Sequence, residues 1–293
     1  MDLSIIIVNY NTINLLRDTL KSIFENPPKK YSFEVIVVDN NSQDKSPDMV
    51  ENEFKNALLI RNKSNDGFSV ANNIGIKKAQ GKYILLLNSD TQILKDTLDK
   101  CLDFMEQENN KKIGILGCKV LLTNGKLDIA CRRGFPTPKN SFFKIFGLSK
   151  LFPKNRFFAG YNLTYLDENK SYEVDSVVGA FMLIRKEVIE EIGLLDEDFF
   201  MFGEDIDYCF RAKKNNWKVY YFADAVIYHH KKGSGRTNPK VISAFYDSMW
   251  IFYKKHYIDE YPKTVAVLIY IAVKSIKYLK LLSAKLKSKR KGK

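Results

Sequence analysis

The chain has 293 residues, 45% hydrophobic and 28% charged, with 15 Gly, 8 Pro and 4 Cys. This composition excludes collagen-like, low-complexity and disordered classes and suits a globular chain able to bury a core without disulfides. The net charge of +13 is uneven: ten Lys/Arg and no acid stand from Lys263 onward, and the remainder is nearly balanced.

Cysteines at 101, 118, 131 and 209 show no CxxC spacing, which argues against a metal cluster or disulfide framework and fits a reducing cytosol. The first residues, Met1-Asp2-Leu3-Ser4, lack a signal peptide's basic region, and no apolar stretch reaches the about 18 residues of a membrane span.

Residues 3–8 form a continuous apolar run, the pattern of a buried parallel strand. Asn11 or Thr12 can cap a helix that presents Leu16, Leu20, Ile23 and Phe24 on one face. Strands are predicted at 34–38, 58–61, 83–87 and 113–118, with helices at 68–79 and 94–108. This alternation predicts an α/β fold, a mainly parallel sheet flanked by helices. Asn124-Gly125 marks a hairpin within 120–129. Residues 132–172 read as surface loops and short helices. A strand at 176–184, a helix at 204–215, strands at 217–222 and 225–228, and helices at 239–257 and 262–288 follow.

Three polar clusters fall at the ends of these elements. Asp39-Asn40-Asn41-Ser42 follows the second strand, where open α/β sheets bind ligands. A carboxylate there can accept the N3–H of uracil or thymine, or it can simply shape a turn. Asn88-Ser89-Asp90 ends the fourth long strand. Its carboxylate suits Mg²⁺ or Mn²⁺ bridged to a diphosphate, or a helix cap. Glu204, Asp205 and Asp207 crowd a helix start. Acids are favoured there, and Asp207 can pair with Arg211, yet the cluster also offers a general base. Mutual repulsion raises such carboxyls and the helix end lowers them, so pattern alone leaves the net shift open. Of His229 and His230, adjacent on a strand, one at most enters a shared site, and it becomes a metal ligand if it meets Asp90. His256 stands alone among aromatics.

The order of these motifs is more specific than any one of them. The runs SIIIVNYN (4–11) and VVDNNS (37–42) resemble the start of family 2 glycosyltransferases. NDGFSVANNIG (65–75), LLNSD (86–90), GAFMLIR (179–185), FFMFGEDIDYCFR (199–211) and His229-His230 are similar to its rhamnosyltransferase-like branch. The resemblance spans roughly residues 3–235. It implies a GT-A fold, a nucleotide-sugar donor, a divalent cation (Mg²⁺ or Mn²⁺) and an inverting displacement. A transferase domain is therefore expected at 1–235, and the helical patterns that follow set a basic helical extension at 236–293.

Residue by residue, the resemblance places Asn9 and Tyr10 along the nucleotide pocket and Asp39, with Asn41 beside it, at the base. Asn65, Gly67, Ala71 and Asn72 match the loop and helix beside the donor. Asn88, Ser89 and Asp90 match the metal motif, with Asn88 where the family pattern has Asp, so ligation rests mainly on Asp90. Asp205 is the implied base and Glu204 its support or an acceptor ligand. His229 is the implied histidine ligand, His230 the alternative. The implied donor is first a thymidine-diphosphate rhamnose, with a UDP-hexose or galactofuranose donor as alternatives, and a non-catalytic relative as the rival.

In the basic tail, Val265, Leu268, Ile269, Ala272, Val273, Ile276, Leu279 and Leu282 keep a helical period beside Lys274, Lys277, Lys280 and Lys285. Such a helix suits an anionic membrane surface, or packs on the body with a solvated basic face. The expected partners are a lipid-linked or glycan acceptor at the cytoplasmic face of the cell membrane. No nucleic-acid motif accompanies the charge.

Overall fold

Continuous apolar runs become the inner strands. β1 (Leu3–Asn9) pairs in parallel with β2 (Phe33–Asp39) on one side and β4 (Tyr83–Asn88) on the other, and β3 (Ala57–Arg61) adds beyond β2. Every residue of β1 is buried, so it carries no alternation. α1 (Ile13–Glu25) buries Leu16, Leu20 and Ile23, and α3 (Phe68–Lys78) packs on β1 and β2. α2 (Ser46–Glu53) joins β2 to β3 with Met49 and Val50 as its buried apolar residues. Two such residues are too few to set a readable period. The structure, a computed structural model, describes residues 1–231 and 238–291, with backbone alone at 287–291.

Beyond β4 the sheet becomes mixed. β8 (Phe181–Arg185) lies antiparallel between β4 and β6 (Ile113–Leu122), and β6 pairs in parallel with β9 (Lys218–His229). The order is β3-β2-β1-β4-β8-β6-β9-β5, with β5 at Thr91–Ile93 and β7 (Tyr172–Val174) paired with the other end of β9. The two strands expected at 217–222 and 225–228 are one. Opposite Cys118 and Lys119 stand Phe222 and Val226, so the residues between them loop out as a bulge.

The remaining elements are shorter than expected. α4 (Thr97–Glu106) starts later than the 94–108 pattern suggests, because β5 takes up the chain after Asp90. The Asn124-Gly125 turn forms, with Gly125 at φ +75°, but its return limb makes only a Leu121–Leu127 bridge. Residues 132–172 carry α5 (Pro138–Ile145) and α6 (Leu148–Leu151). The strand expected at 176–184 shrinks to β8, leaving Ser176 bridged to Arg133. α7 (Lys186–Ile192) and α8 (Glu204–Lys214) follow. All four cysteines are free and buried.

α9 (Pro239–His256) and α10 (Lys263–Lys291) share a second apolar cluster with Phe199, Ile206 and Phe210, which includes Phe252, Tyr257 and Ala266, with Ile269 packed against it. The single stripe expected on α10 is therefore split. Ala266 and Val273 are buried, while Leu268, Leu279 and Leu282 are exposed on the other side. Lys274 and Lys277 reach Asp247 of α9 at 3.1 and 2.6 Å. The expected boundary between 235 and 236 lies outside the described residues. Among the described residues, no helix is long and apolar enough to cross a membrane.

Candidate active site

The polar clusters converge beyond the carboxyl ends of β1, β2 and β4. The register sets Asn9 beside Asp39. The Asn9 amide donates to Asp39 Oδ1 at 2.8 Å, and the Ser42 N–H donates to Oδ2 at 2.8 Å. Asp39 thus shapes the turn and keeps further lone pairs for a ligand. Thr12 donates to Asn9 Oδ1 at 2.6 Å and lies 3.0 Å from the Ser89 hydroxyl, linking the three strand ends. Tyr10 is exposed and Asn41 sits at φ 63°, pointing its turn outward.

The inward residue of that turn is Asn40, which sequence reading passed over. It donates to the Gly67 carbonyl at 3.1 Å, accepts from Asn62 at 2.8 Å and so ties this loop to the next. Asn65 accepts from the Gly67 N–H at 3.2 Å. Gly67 has φ +104°, and a Cβ there would stand 2.6 Å from the Phe200 carbonyl, which Phe68 N–H bonds at 2.6 Å. Gly67→Ala is expected to cost about 1–3 kcal/mol in stability and to weaken nucleotide binding. Thermal unfolding with a nucleotide titration checks both. Ala71 is buried in the main core, and Asn72 donates back to the Phe68 carbonyl at 2.9 Å, so these two shape α3.

On the other flank, His229 is buried between two carboxylates. Its Nε2 lies 3.1 Å from Asp90 Oδ1 and its Nδ1 3.4 Å from Asp128 Oδ2. Asn88 Nδ2 is 3.5 Å from the same Nε2. His230, the next residue along the chain, donates its N–H to the Asp90 carbonyl at 2.9 Å, so of the two side chains it is His229 that meets the Asp90 carboxylate. Burial opposes charge on His229, but the bonds to Asp128 and Asp90 outweigh it and raise its proton affinity. Asp128 is held well below the usual carboxylate range: burial works against this, and His229 and Lys231, 2.7 Å away, overcome it.

Asp90 and His229 fit an oxygen-and-nitrogen donor pair for Mg²⁺ or Mn²⁺, with Asp128 placed to orient the ring from behind. Among the described residues, no group of three His, Cys, Asp or Glu side chains could hold a metal by itself. An ion at this pair would therefore draw its other ligands from substrate and water.

The acids of α8 separate into distinct environments. Asp207 is structural: it pairs with Arg211 at 2.8 Å and with His256 Nε2 at 2.7 Å, which gives the lone histidine its partner. Asp205 Oδ2 accepts from Arg133 at 2.6 Å and from the Gly179 N–H at 3.1 Å. Arg133 is buried and was not anticipated from sequence. The backbone next to Gly179 joins the Asp90 flank, because Asn88 N–H donates to the Ala180 carbonyl at 3.2 Å.

Glu204 is buried, and its Oε2 has no hydrogen-bond partner among the described residues. Burial, reinforced by the Asp205 charge, pushes its carboxyl up to about 8. The folded chain then keeps a proton that the unfolded chain releases above the ordinary value of 4.5. The stability contribution of Glu204 therefore falls as pH rises from about 4.5 to about 8. Glu204→Gln cannot ionise and is expected to flatten that slope. Unfolding measured across this window checks it, and an unchanged slope removes Glu204 as its source.

A family model described as "Glycosyl transferase family 2" matches residues 4–193. The low-salt glycan biosynthesis hexosyltransferase of Haloferax volcanii is 29% identical over 222 residues, covering 74% of this chain and 64% of that protein. The chain thus spans under two thirds of this relative's length. The N-acetylglucosaminyl-diphospho-decaprenol L-rhamnosyltransferase of Mycobacterium tuberculosis is 24% identical over 230 residues, covering 74% of this chain and 73% of that one. Among solved structures, a Pyrobaculum calidifontis mannosyltransferase in complex with GDP-Man and Mn²⁺ superimposes with TM-score 0.61 at 17% identity, over 97% of this chain and 73% of that chain. That likeness gives the fold as the GT-A type.

Proposed function

The chain belongs to glycosyl transferase family 2, and on that premise we propose that it is an inverting transferase of cell-envelope glycan synthesis. It moves a sugar from a nucleoside-diphosphate donor to a lipid-linked or polysaccharide acceptor. Rhamnose from its thymidine diphosphate is the first donor to test, with UDP-hexose and galactofuranose donors next. A rhamnosyltransferase and a hexosyltransferase among the relatives support this range.

One observation carries the reading. A continuous chain of hydrogen bonds runs from Asp39 through Asn9 and Thr12 to Ser89, and the neighbouring Asn88 meets the Gly179–Ala180 backbone that holds Asp205. These bonds tie Asp39, the Asn88–Asp90 segment and Asp205 into one frame, which supports giving them roles in one reaction. Asp39 accepts the imide N–H of the base, with Asn9, Tyr10, Asn41, Asn65 and Gly67 around the nucleotide. Asp90 and His229 would hold a divalent cation, which would offset the charge developing on the diphosphate. The acceptor hydroxyl bonds to the sugar C1 on the face opposite the diphosphate, the C1–O bond to phosphate breaks, and the hydroxyl proton passes to Asp205. Glu204 positions the acceptor beside it.

The test is binding of dTDP, UDP and GDP to the purified chain, with and without Mn²⁺. Binding of dTDP or UDP, strengthened by Mn²⁺ and exceeding GDP, supports the reading. No nucleotide binding under any condition overturns it in favour of a non-catalytic relative.

The exposed face of α10 serves as a peripheral contact with the anionic inner face of the cell membrane. Cutting the chain at Tyr261 would uncover α9, because Ala266 belongs to the shared cluster. Point changes are cleaner. Leu268, Leu279 and Leu282, each replaced by Ser, are expected to weaken co-sedimentation with phosphatidylglycerol vesicles at least about tenfold, from the apolar area lost. Unchanged sedimentation removes α10 as a contact.

A further inference from the structure

Residues 129–166 contain seven Lys/Arg and no Asp or Glu. Two of these bases are buried and turned inward: Arg132 donates to the Leu166 and Asp167 carbonyls, and Arg133 to Asp205. Of the other five, Lys139, Lys150, Lys154 and Arg156 are exposed, while Lys144 turns its ammonium onto the Tyr161 ring at 3.9 Å. Between them stand six phenylalanines in edge and tilted contact, with Phe143 buried among them. Phe146 and Leu151 are 68% and 69% exposed, and Phe142, Ile145 and Phe157 at least half exposed. Scattered apolar residues at a surface need no explanation, but a contiguous patch marks a partner.

The excursion is pinned at its root. Gly134 N–H donates to the Tyr161 carbonyl at 2.8 Å, and a Cβ on Gly134 would stand 2.1 Å from the Gly160 carbonyl oxygen, so the two legs cross where only glycine fits. Arg133, one residue before that crossing, holds Asp205. The aromatic tip thus grows from the same root as Arg133, which holds the candidate base on α8.

We infer that α5 and α6, with the loop to Phe157, form a second membrane contact that seats on an anionic lipid bilayer. Exposed aromatic rings enter the interface, and acid-free lysines face the phosphates of the headgroups. Charge complementarity selects this occupant: an apolar patch for a neutral protein partner has no need of four outward bases and no acid. Arg133, at the root of the contact, is the residue that ties it to Asp205, and a second contact beside α10 would make attachment bivalent.

The test uses the full chain with Phe146→Trp, read against the wild-type signal of Trp217 and Trp250. Phosphatidylglycerol vesicles with brominated acyl chains are expected to quench the added fluorescence by at least about half, as for a ring within the acyl boundary. Lys150→Glu combined with Lys154→Glu is expected to weaken binding at least about tenfold, in keeping with the worth of a surface lysine near anionic lipid. An unquenched added indole, in a Phe146→Trp chain that still sediments with the vesicles, overturns the proposal and leaves α10 as the contact. Equal quenching in neutral phosphatidylcholine vesicles overturns the charge argument and with it the anionic partner. No nucleotide sugar is involved, so this result stands apart from the fate of the transferase reading.

Discussion

Asp205→Asn is expected to lower transfer by about 10²–10⁴-fold, the usual worth of a general base, while Mn²⁺-dependent nucleotide binding stays at the wild-type level. The carboxylate is also half of a buried ion pair with Arg133, 2.6 Å away. Removing one partner of such a pair costs about 3–5 kcal/mol, because the other charge is left uncompensated. A fall in turnover alone would therefore confuse chemistry with folding. Adding Arg133→Gln removes the stranded charge and is expected to restore much of the melting temperature without restoring turnover. Recovery of both in the double variant would refute the role of Asp205 as base. The comparison with Glu204→Gln is equally informative. Glu204 carries the raised carboxyl and the unpartnered oxygen, so loss of turnover confined to Glu204→Gln moves the base by one residue.

Sequence patterns revealed what local forces dictate. The run at 3–8 reads as a strand because both faces of β1 are covered, and Asp39, Asp90, Glu204 and Asp205 are visible because they interrupt or follow such runs. What escaped notice depends on distant partners. Asp128 meets His229 from 101 residues away, and Arg133 meets Asp205 from 72. Neither sits in a periodic segment, so no local signal marks it. Asn40 and Asn41 differ only in direction: one turns inward to Gly67 and the other takes a left-handed backbone and faces out. The α10 stripe shows the limit of periodicity. A helical period identifies apolar faces, but which of them α9 covers is decided by packing.

Asp90→Ala is expected to abolish the Mn²⁺ enhancement of nucleotide binding and to lower transfer by at least about 10²-fold, since cation neutralisation of a leaving diphosphate is worth several kcal/mol. Few groups share the task. Asp90 Oδ1 and His229 Nε2 stand 3.1 Å apart, and Asn88 replaces a carboxylate in the matching motif, so no neighbouring acid of that motif can compensate. His229→Ala should follow with a smaller loss, because a hard cation prefers the oxygen donor. Asp128→Asn tests the support behind the ring. It keeps size and polarity but surrenders the charge that fixes Nδ1, so a loss of about 10–100-fold in Mn²⁺ affinity is expected, with nucleotide binding in the absence of metal unchanged. Mn²⁺ titration followed by electron paramagnetic resonance ranks the three variants directly. Equal Mn²⁺ affinity in Asp90→Ala and the wild-type chain would place the cation elsewhere and leave Asp90 as a structural partner of His229.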